Sequence, residues 1–245
     1  MRNLILFLLI IPLCAYSQIS IKVGAAAGGL YSYRQLTVKD ESAVGSNIKQ
    51  QRDEEIPASG FVCGVSGVLV KNKWQLQTEM LYTTSGYKRK FINLLFGDQI
   101  DDQYGFVQNP SAPAITSYEL QSAFTNIRIP ILLGYAFNLS ENKRHQLIPQ
   151  LGVSNNLLLK VQQEITIQYD DGSTVTNSRD RRQSPYKTYS VSAVCGVTYM
   201  YTIKRVSFSG ALVFNQSLTP VGSGSVLSEY EYWGAAKVGA FYTLY

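Results

Sequence analysis

The sequence predicts an all-β fold, an eight-stranded antiparallel up-and-down barrel of the transmembrane type, and three observations predict it. Apolar residues alternate with small or polar ones over stretches of about ten to fifteen residues, the side-chain period of a strand. No stretch beyond the first residues approaches the roughly 18 to 20 continuous apolar residues of a spanning helix. The connections run long, short, long, short, as they do in barrels that cross a membrane. Composition agrees: charged residues are only 16 %, while the chain holds 17 tyrosines and 19 glycines.

Residues 1–17 read as a secretory signal peptide. Arg2 supplies the positive start, Leu4 to Leu13 the apolar run, and Ala15-Tyr16-Ser17 a cleavage site before Gln18. Residues 18–245 are then one domain, the barrel. Cys14 follows the bulky Leu13, which suits lipid attachment poorly. Cys63 and Cys195 lie far apart inside apolar stretches and read as wall residues rather than a disulfide framework.

The first predicted strand starts at Ile19 and places Ile19, Ile21, Val23, Ala25, Ala27 and Tyr31 on one face, with Ser20, Lys22, Gly24 and Gly28 on the other. After a polar segment from Arg34 to Ser59, the second puts Phe61, Cys63, Val65, Gly67 and Leu69 on one face and ends in a short turn at Asn72. In the third, Trp74, Leu76, Thr78, Met80 and Tyr82 alternate with Gln75, Gln77, Glu79, Leu81 and Thr83. A long segment from Lys88 to about Leu120 separates it from the fourth, FTNIRIPILLGYAF. There Ile127, Ile129, Ile131, Leu133, Tyr135 and Phe137 share a face opposite Asn126, Arg128, Pro130, Leu132, Gly134 and Ala136. Pro130 excludes a regular helix and must forfeit a ladder hydrogen bond or sit at a bulge. The fifth strand, from Gln146, is expected to be irregular around Pro149 and Asn155-Asn156. A hairpin turning at Asp171-Gly172 is expected in the long segment from Lys160 to Lys187. The sixth strand carries Tyr189 through Tyr201, the seventh Val206 through Phe214, and the eighth runs from Glu231 to Tyr245.

A soluble sandwich also alternates, but its outer face is wet and usually charged. Here the more polar face is mostly Gly, Ser, Gln, Asn and Ala, and the other is nearly continuous aliphatic and aromatic. That suits a lipid-facing exterior and a narrow polar interior, in which a closed sheet pairs every backbone group. A lipocalin-like carrier would need the inverse. Tyr31, Tyr33, Trp74, Tyr82, Tyr135, Tyr199 and Tyr201 are placed to form aromatic girdles. The short turns then face the periplasm and the longer loops face outward. The chain's basic excess comes from those turns, Lys71, Lys73, Lys143, Arg144, Lys204 and Arg205 against Glu141, so it implies no nucleic-acid partner.

Lys22, Glu79 and Arg128 fall on the lumen-facing register, and Glu231 and Lys237 are expected to join them in a charge network that fills the interior. Arg128 is expected to point inward and pair with Glu79 on the adjacent strand. Glu79 has no histidine or second carboxylate in a comparable register, and the one histidine, His145, lies in a short turn, so no catalytic residues are assigned and no enzyme is expected. Asp98, Asp101, Asp102, Asp170 and Asp171 match no calcium-loop spacing, and no metal or cofactor is expected.

The run Ile129-Pro130-Ile131-Leu132-Leu133-Gly134-Tyr135 resembles the "IPLLLKY" run in the fourth-strand region of PorT-type outer-membrane β-barrel proteins of Bacteroidota, with Gly134 where a basic residue is commoner. The early Gly24 and Gly28 and the final aromatic residue fit the same resemblance. It implies an outer-membrane barrel inserted by the barrel-assembly machinery; the signal peptide implies export by the general secretory route, and outer-membrane lipid and lipopolysaccharide are the expected surroundings. The resulting expectation is a non-enzymatic structural or surface-interaction barrel with long extracellular loops. The alternative is an accessory of protein secretion or transport across the outer membrane, with secretion-system proteins as partners.

Overall fold

The computed structural model describes residues 19–38, 55–92, 100–101, 105–106, 113–180, 186–223 and 227–244. The expected signal peptide and the loop residues Asp98 and Asp102 lie outside them. In chain order the strands are β1 (Ile19–Val38), β2 (Glu55–Lys71), β3 (Trp74–Ile92), β4 (Ile100–Asp101), β5 (Gly105–Phe106), β6 (Ile115–Tyr135), β7 (Phe137–Asn138), β8 (His145–Tyr169), β9 (Thr174–Asp180), β10 (Tyr189–Ile203), β11 (Val206–Ser217), β12 (Gly222–Ser223) and β13 (Leu227–Thr243).

The eight long strands follow the order β1-β2-β3-β6-β8-β10-β11-β13, and β13 pairs back with β1, so the sheet closes. Following partners once round, Lys22 faces Val68, then Gln77, Leu132, Gly152, Val194, Asn215 and Trp233, and Trp233 faces Ser32 on β1. The circuit returns ten residues beyond its start, from Lys22 to Ser32. At ~3.3 Å per residue and ~4.8 Å between strands, that stagger tilts the strands by about 40°, the slope of a closed eight-stranded barrel.

Alternation assigns the two faces. Outward residues form a continuous apolar band, with Val65, Leu76, Met80, Ile131, Leu133, Leu151, Leu212 and Val238 all exposed. Trp74 packs edge-on against Tyr135 at 5.1 Å, and Tyr135 against Phe137 at 5.0 Å, at the short-turn rim. Tyr31, Phe61 and Tyr82 lie toward the other rim. Asn155 interrupts the apolar wall, and the Tyr189 hydroxyl donates to its side-chain oxygen at 2.5 Å.

The interior is layered rather than uniformly small and polar, which corrects the sequence expectation. Nearest the short-turn rim, Val68, Ala136, Ile148, Met200 and Phe241 pack together. A second apolar cluster of Leu30, Val62, Leu81, Leu132, Val194, Val213, Trp233 and Ala235 lies further along the barrel. Tyr87, Phe124 and Val161 form a third toward the long-loop rim. Along β13 the inward residues run Glu231, Trp233, Ala235, Lys237, Gly239, Phe241, so charged and apolar residues are interleaved within a single inward face. Inward glycines let the small cylinder close: a Cβ at Gly28 would meet the Ala236 carbonyl oxygen at 2.0 Å, and one at Gly152 the Ile131 carbonyl oxygen at 1.9 Å.

Several strands extend beyond the expected limits. β3 and β6 remain paired out to Ile92 and Ser117, and β8 runs unbroken from His145 to Tyr169 through Pro149. The expected hairpin is the continuation of β8 into β9, with Gly172 at φ 81° in the turn. The irregularity in β8 is not at Pro149 or Asn155-Asn156; the register shifts where Thr125 and Asn126 face Lys160 and Leu158, leaving Leu159 as the extra residue. Pro130 sits where β6 and β3 lack ladder partners, between the pairs Thr78–Ile131 and Leu81–Arg128, and the register is the same on both sides. Its missing N–H thus costs a bond toward β3 without a bulge.

Candidate functional site

The candidate site is the charged interior. Its lower part is centred on Glu79, whose side chain is almost wholly buried. Lys237 Nζ donates to Glu79 Oε2 at 2.7 Å, and Ser66 Oγ and Gln77 Nε2 donate to Oε1 at 3.1 and 2.8 Å. The Gln77 carbonyl accepts from Gln150 Nε2 at 2.7 Å, and the Gln150 carbonyl from Thr198 Oγ1 at 3.0 Å. One network therefore joins β13, β2, β3, β8 and β10 across the lumen. The ten-residue stagger explains the ion pair, because it brings Lys237 on β13 to the height of Glu79 on β3.

Arg128 points inward and is 0 % exposed, but its carboxylate is Glu231, not Glu79. Its Nη2 donates to both Glu231 oxygens at 2.9 and 2.8 Å, its Nε to Thr83 Oγ1 at 2.9 Å, and its guanidinium lies 5.1 Å from the centre of the Trp233 ring. The reason for the correction is position. Leu81, apolar, is the residue directly opposite Arg128, while Thr83 and Ser85 further along β3 offer hydroxyls that draw the guanidinium away from Glu79. Lys22 is buried near Met200 and Ser207, with Nζ 3.3 Å from the Met200 sulfur and 3.5 Å from Ser207 Oγ. The five residues thus divide into two ion pairs and one lysine that has no carboxylate partner among the described residues.

A third cluster, near the long-loop rim, was not singled out from the sequence apart from its neighbour Glu231. Arg34 binds Glu55 through two nitrogens and reaches Glu229 at 3.1 Å. Its Nη1 donates to the Tyr87 hydroxyl at 3.1 Å, which lies 3.0 Å from the Tyr186 hydroxyl. Burial, together with the neighbouring Tyr87 hydroxyl and then the Glu229 carboxylate, pushes the Tyr186 hydroxyl above the ordinary tyrosine range, so it stays protonated. Arg34 is two residues from the inward Ser32, and Glu229 two from Glu231, so period two would have found both had the strands been drawn to their full length. A cavity of about 30 Å³ lies beside Tyr87, Phe124, Tyr186 and Glu229, room for one or two waters.

His145 lies outside the lumen: its Nδ1 is 2.6 Å from the Tyr199 hydroxyl and its ring stacks on Tyr201 at 4.7 Å, within the aromatic girdle. Among the described residues no group of three or more His, Cys, Asp or Glu is arranged to hold a metal ion. Cys63 and Cys195 are both free thiols.

Comparison with known proteins adds the family. A search of curated protein sequences finds no match. Among solved structures the chain is similar to Neisserial surface protein A, at 15 % identity over 92 % of this chain and 99 % of that one, with a TM-score of 0.38. It is also similar to the outer membrane protein OprG of Pseudomonas aeruginosa, at 10 % identity over 94 % and 98 %, TM-score 0.46. A third likeness is to Ail, the attachment invasion locus protein of Yersinia pestis, at 12 % identity over 91 % and 98 %, TM-score 0.33. The family model for the outer membrane protein beta-barrel domain matches residues 15–222, most of the chain. The closed sheet, its apolar outer band and this match lead to one conclusion: the chain belongs to the outer membrane protein beta-barrel domain family and resides in the outer membrane.

Proposed function

We propose that the protein is a closed, non-enzymatic barrel that holds a loop surface outside the cell and conducts nothing through its lumen. The observation that carries this reading is the filled interior, where the Lys237–Glu79 and Arg128–Glu231 pairs alternate with layers of packed apolar side chains. An ion crossing it would have to break a buried ion pair and also pass between Leu30, Leu81 and Trp233. The barrel is then a mount, and its activity lies in what the outer loops engage. Planar-bilayer recording tests the reading: no stable conductance step is expected from the purified protein, and steady single-channel openings would overturn it.

The PorT-like run on β6 favours a second reading, an accessory of protein secretion working with secretion-system proteins. Ile129, Ile131 and Leu133 of that run are exposed on the outer wall, where a neighbouring membrane protein could pack. Comparing the secreted proteins of a deletion strain with those of its parent tests it. A selective loss of exported proteins is expected, and an unchanged profile would refute it. Folding by the barrel-assembly machinery and contact of the long-loop rim with lipopolysaccharide belong to both readings.

A further inference from the structure

The short-turn rim, periplasmic in a barrel of this family, concentrates unpaired positive charge. Lys71 and Lys73 flank the β2–β3 turn, Lys143 and Arg144 precede β8, and Lys204 and Arg205 join β10 to β11. All six are exposed, Glu141 is the one acidic residue in these turns, and among the described residues none of the six has an ion-pair partner. Turn geometry does not account for them. Lys143 and Lys204 hold left-handed backbone angles, φ 55° each, a conformation that glycine or asparagine adopts at less cost. Asn72 fills the equivalent place in the first turn, at φ 57°.

Depth is set by the aromatic residues. Lys73 Nζ lies 5.9 Å from the centre of the Tyr135 ring, which packs edge-on against Trp74, and Arg144 directly precedes the girdle residue His145. The cations therefore begin where the girdle ends, at the level of lipid headgroups. They are also spread round the ring, one pair at each short turn, rather than gathered on one side. A protein partner would meet one side, whereas a shell of lipid meets all of them. We propose that the periplasmic rim is a collar that binds the phosphates of anionic phospholipids in the inner leaflet of the outer membrane.

Tryptophan quenching tests this directly. The chain has two tryptophans, Trp74 exposed at this rim and Trp233 buried in the lumen, so acyl-chain-brominated lipid reports on Trp74. The full-length mature protein is placed in mixed vesicles with either brominated phosphatidylglycerol or brominated phosphatidylcholine at equal mole fraction. Quenching should show phosphatidylglycerol enriched about fivefold near Trp74, the ratio that ~1 kcal/mol of surface attraction gives. The enrichment should vanish in Lys71→Gln/Lys73→Gln and in 1 M salt, where the screening length is about 3 Å, while phosphatidylcholine quenching stays unchanged. A heat-modifiable gel band verifies that the variant is folded. Equal quenching by the two lipids, or an excess that survives both treatments, overturns the collar; the former outcome leaves the cations to a soluble acidic partner.

Discussion

Replacing Glu79 tests whether the lumen network holds the barrel together. Lys237 reaches it at 2.7 Å with both side chains almost fully buried, and two further donors occupy its other oxygen. Glu79→Gln leaves the Lys237 ammonium without a compensating charge in a site that water does not reach, and breaking a buried pair in this way costs about 3 kcal/mol. Lys237→Met strands the carboxylate and should cost a similar amount. The double variant strands no charge and should cost no more than either single change, a coupling of about 3 kcal/mol in the cycle. Urea unfolding in lipid vesicles, followed by tryptophan fluorescence, measures all four proteins, because Trp233 lies two residues above Ala235 and four from Lys237 on the same inward face. Additive costs, with a coupling below about 0.5 kcal/mol, would refute the argument that this pair is dry and mutually dependent.

Other consequences follow from the same interior. Lys22→Met should be neutral or stabilising in the same assay, since it replaces a buried ammonium that has no carboxylate among the described residues with an apolar chain beside Met200; a loss above about 2 kcal/mol would show that Lys22 has a stronger partner. Gly28→Leu should abolish or severely slow barrel formation, read as loss of the heat-modifiable band, because its Cβ would overlap the Ala236 carbonyl; wild-type folding yield would contradict the close approach. Cys63 and Cys195 should give identical gel mobility with and without reductant and should both take a lipophilic maleimide, as free thiols on the outer wall do.

The transmembrane part of the fold was legible because lipid imposes a strict choice at every second residue. Ile127 through Phe137 and Trp74 through Tyr82 could be assigned to faces one residue at a time for that reason. Beyond the lipid band that constraint stops: Lys88, Arg89 and Lys90 on β3 and Glu119 and Leu120 on β6 are strand residues with polar groups on both faces, so they read as loop. The inward register of Lys22, Glu79, Arg128 and Lys237 could likewise be drawn from alternation. Partner choice could not, because it depends on the stagger of the closed sheet, which brings Lys237 rather than Arg128 to Glu79. The bulge at Leu159 was hidden for a related reason, since Leu157, Leu158 and Leu159 offer the same side chain to either face.

The barrel depends on closure of the sheet between its first and last strands, where Ala25 faces Ala240. With Cys63 and Cys195 replaced by alanine, the pair Ala25→Cys and Ala240→Cys should cross-link on oxidation in outer-membrane fractions, giving a band whose mobility changes on reduction. Ala26→Cys with Ala240→Cys, one residue out of register and on opposite faces, should not. Absence of the first cross-link, or equal formation of both, would contradict a closed barrel in this register.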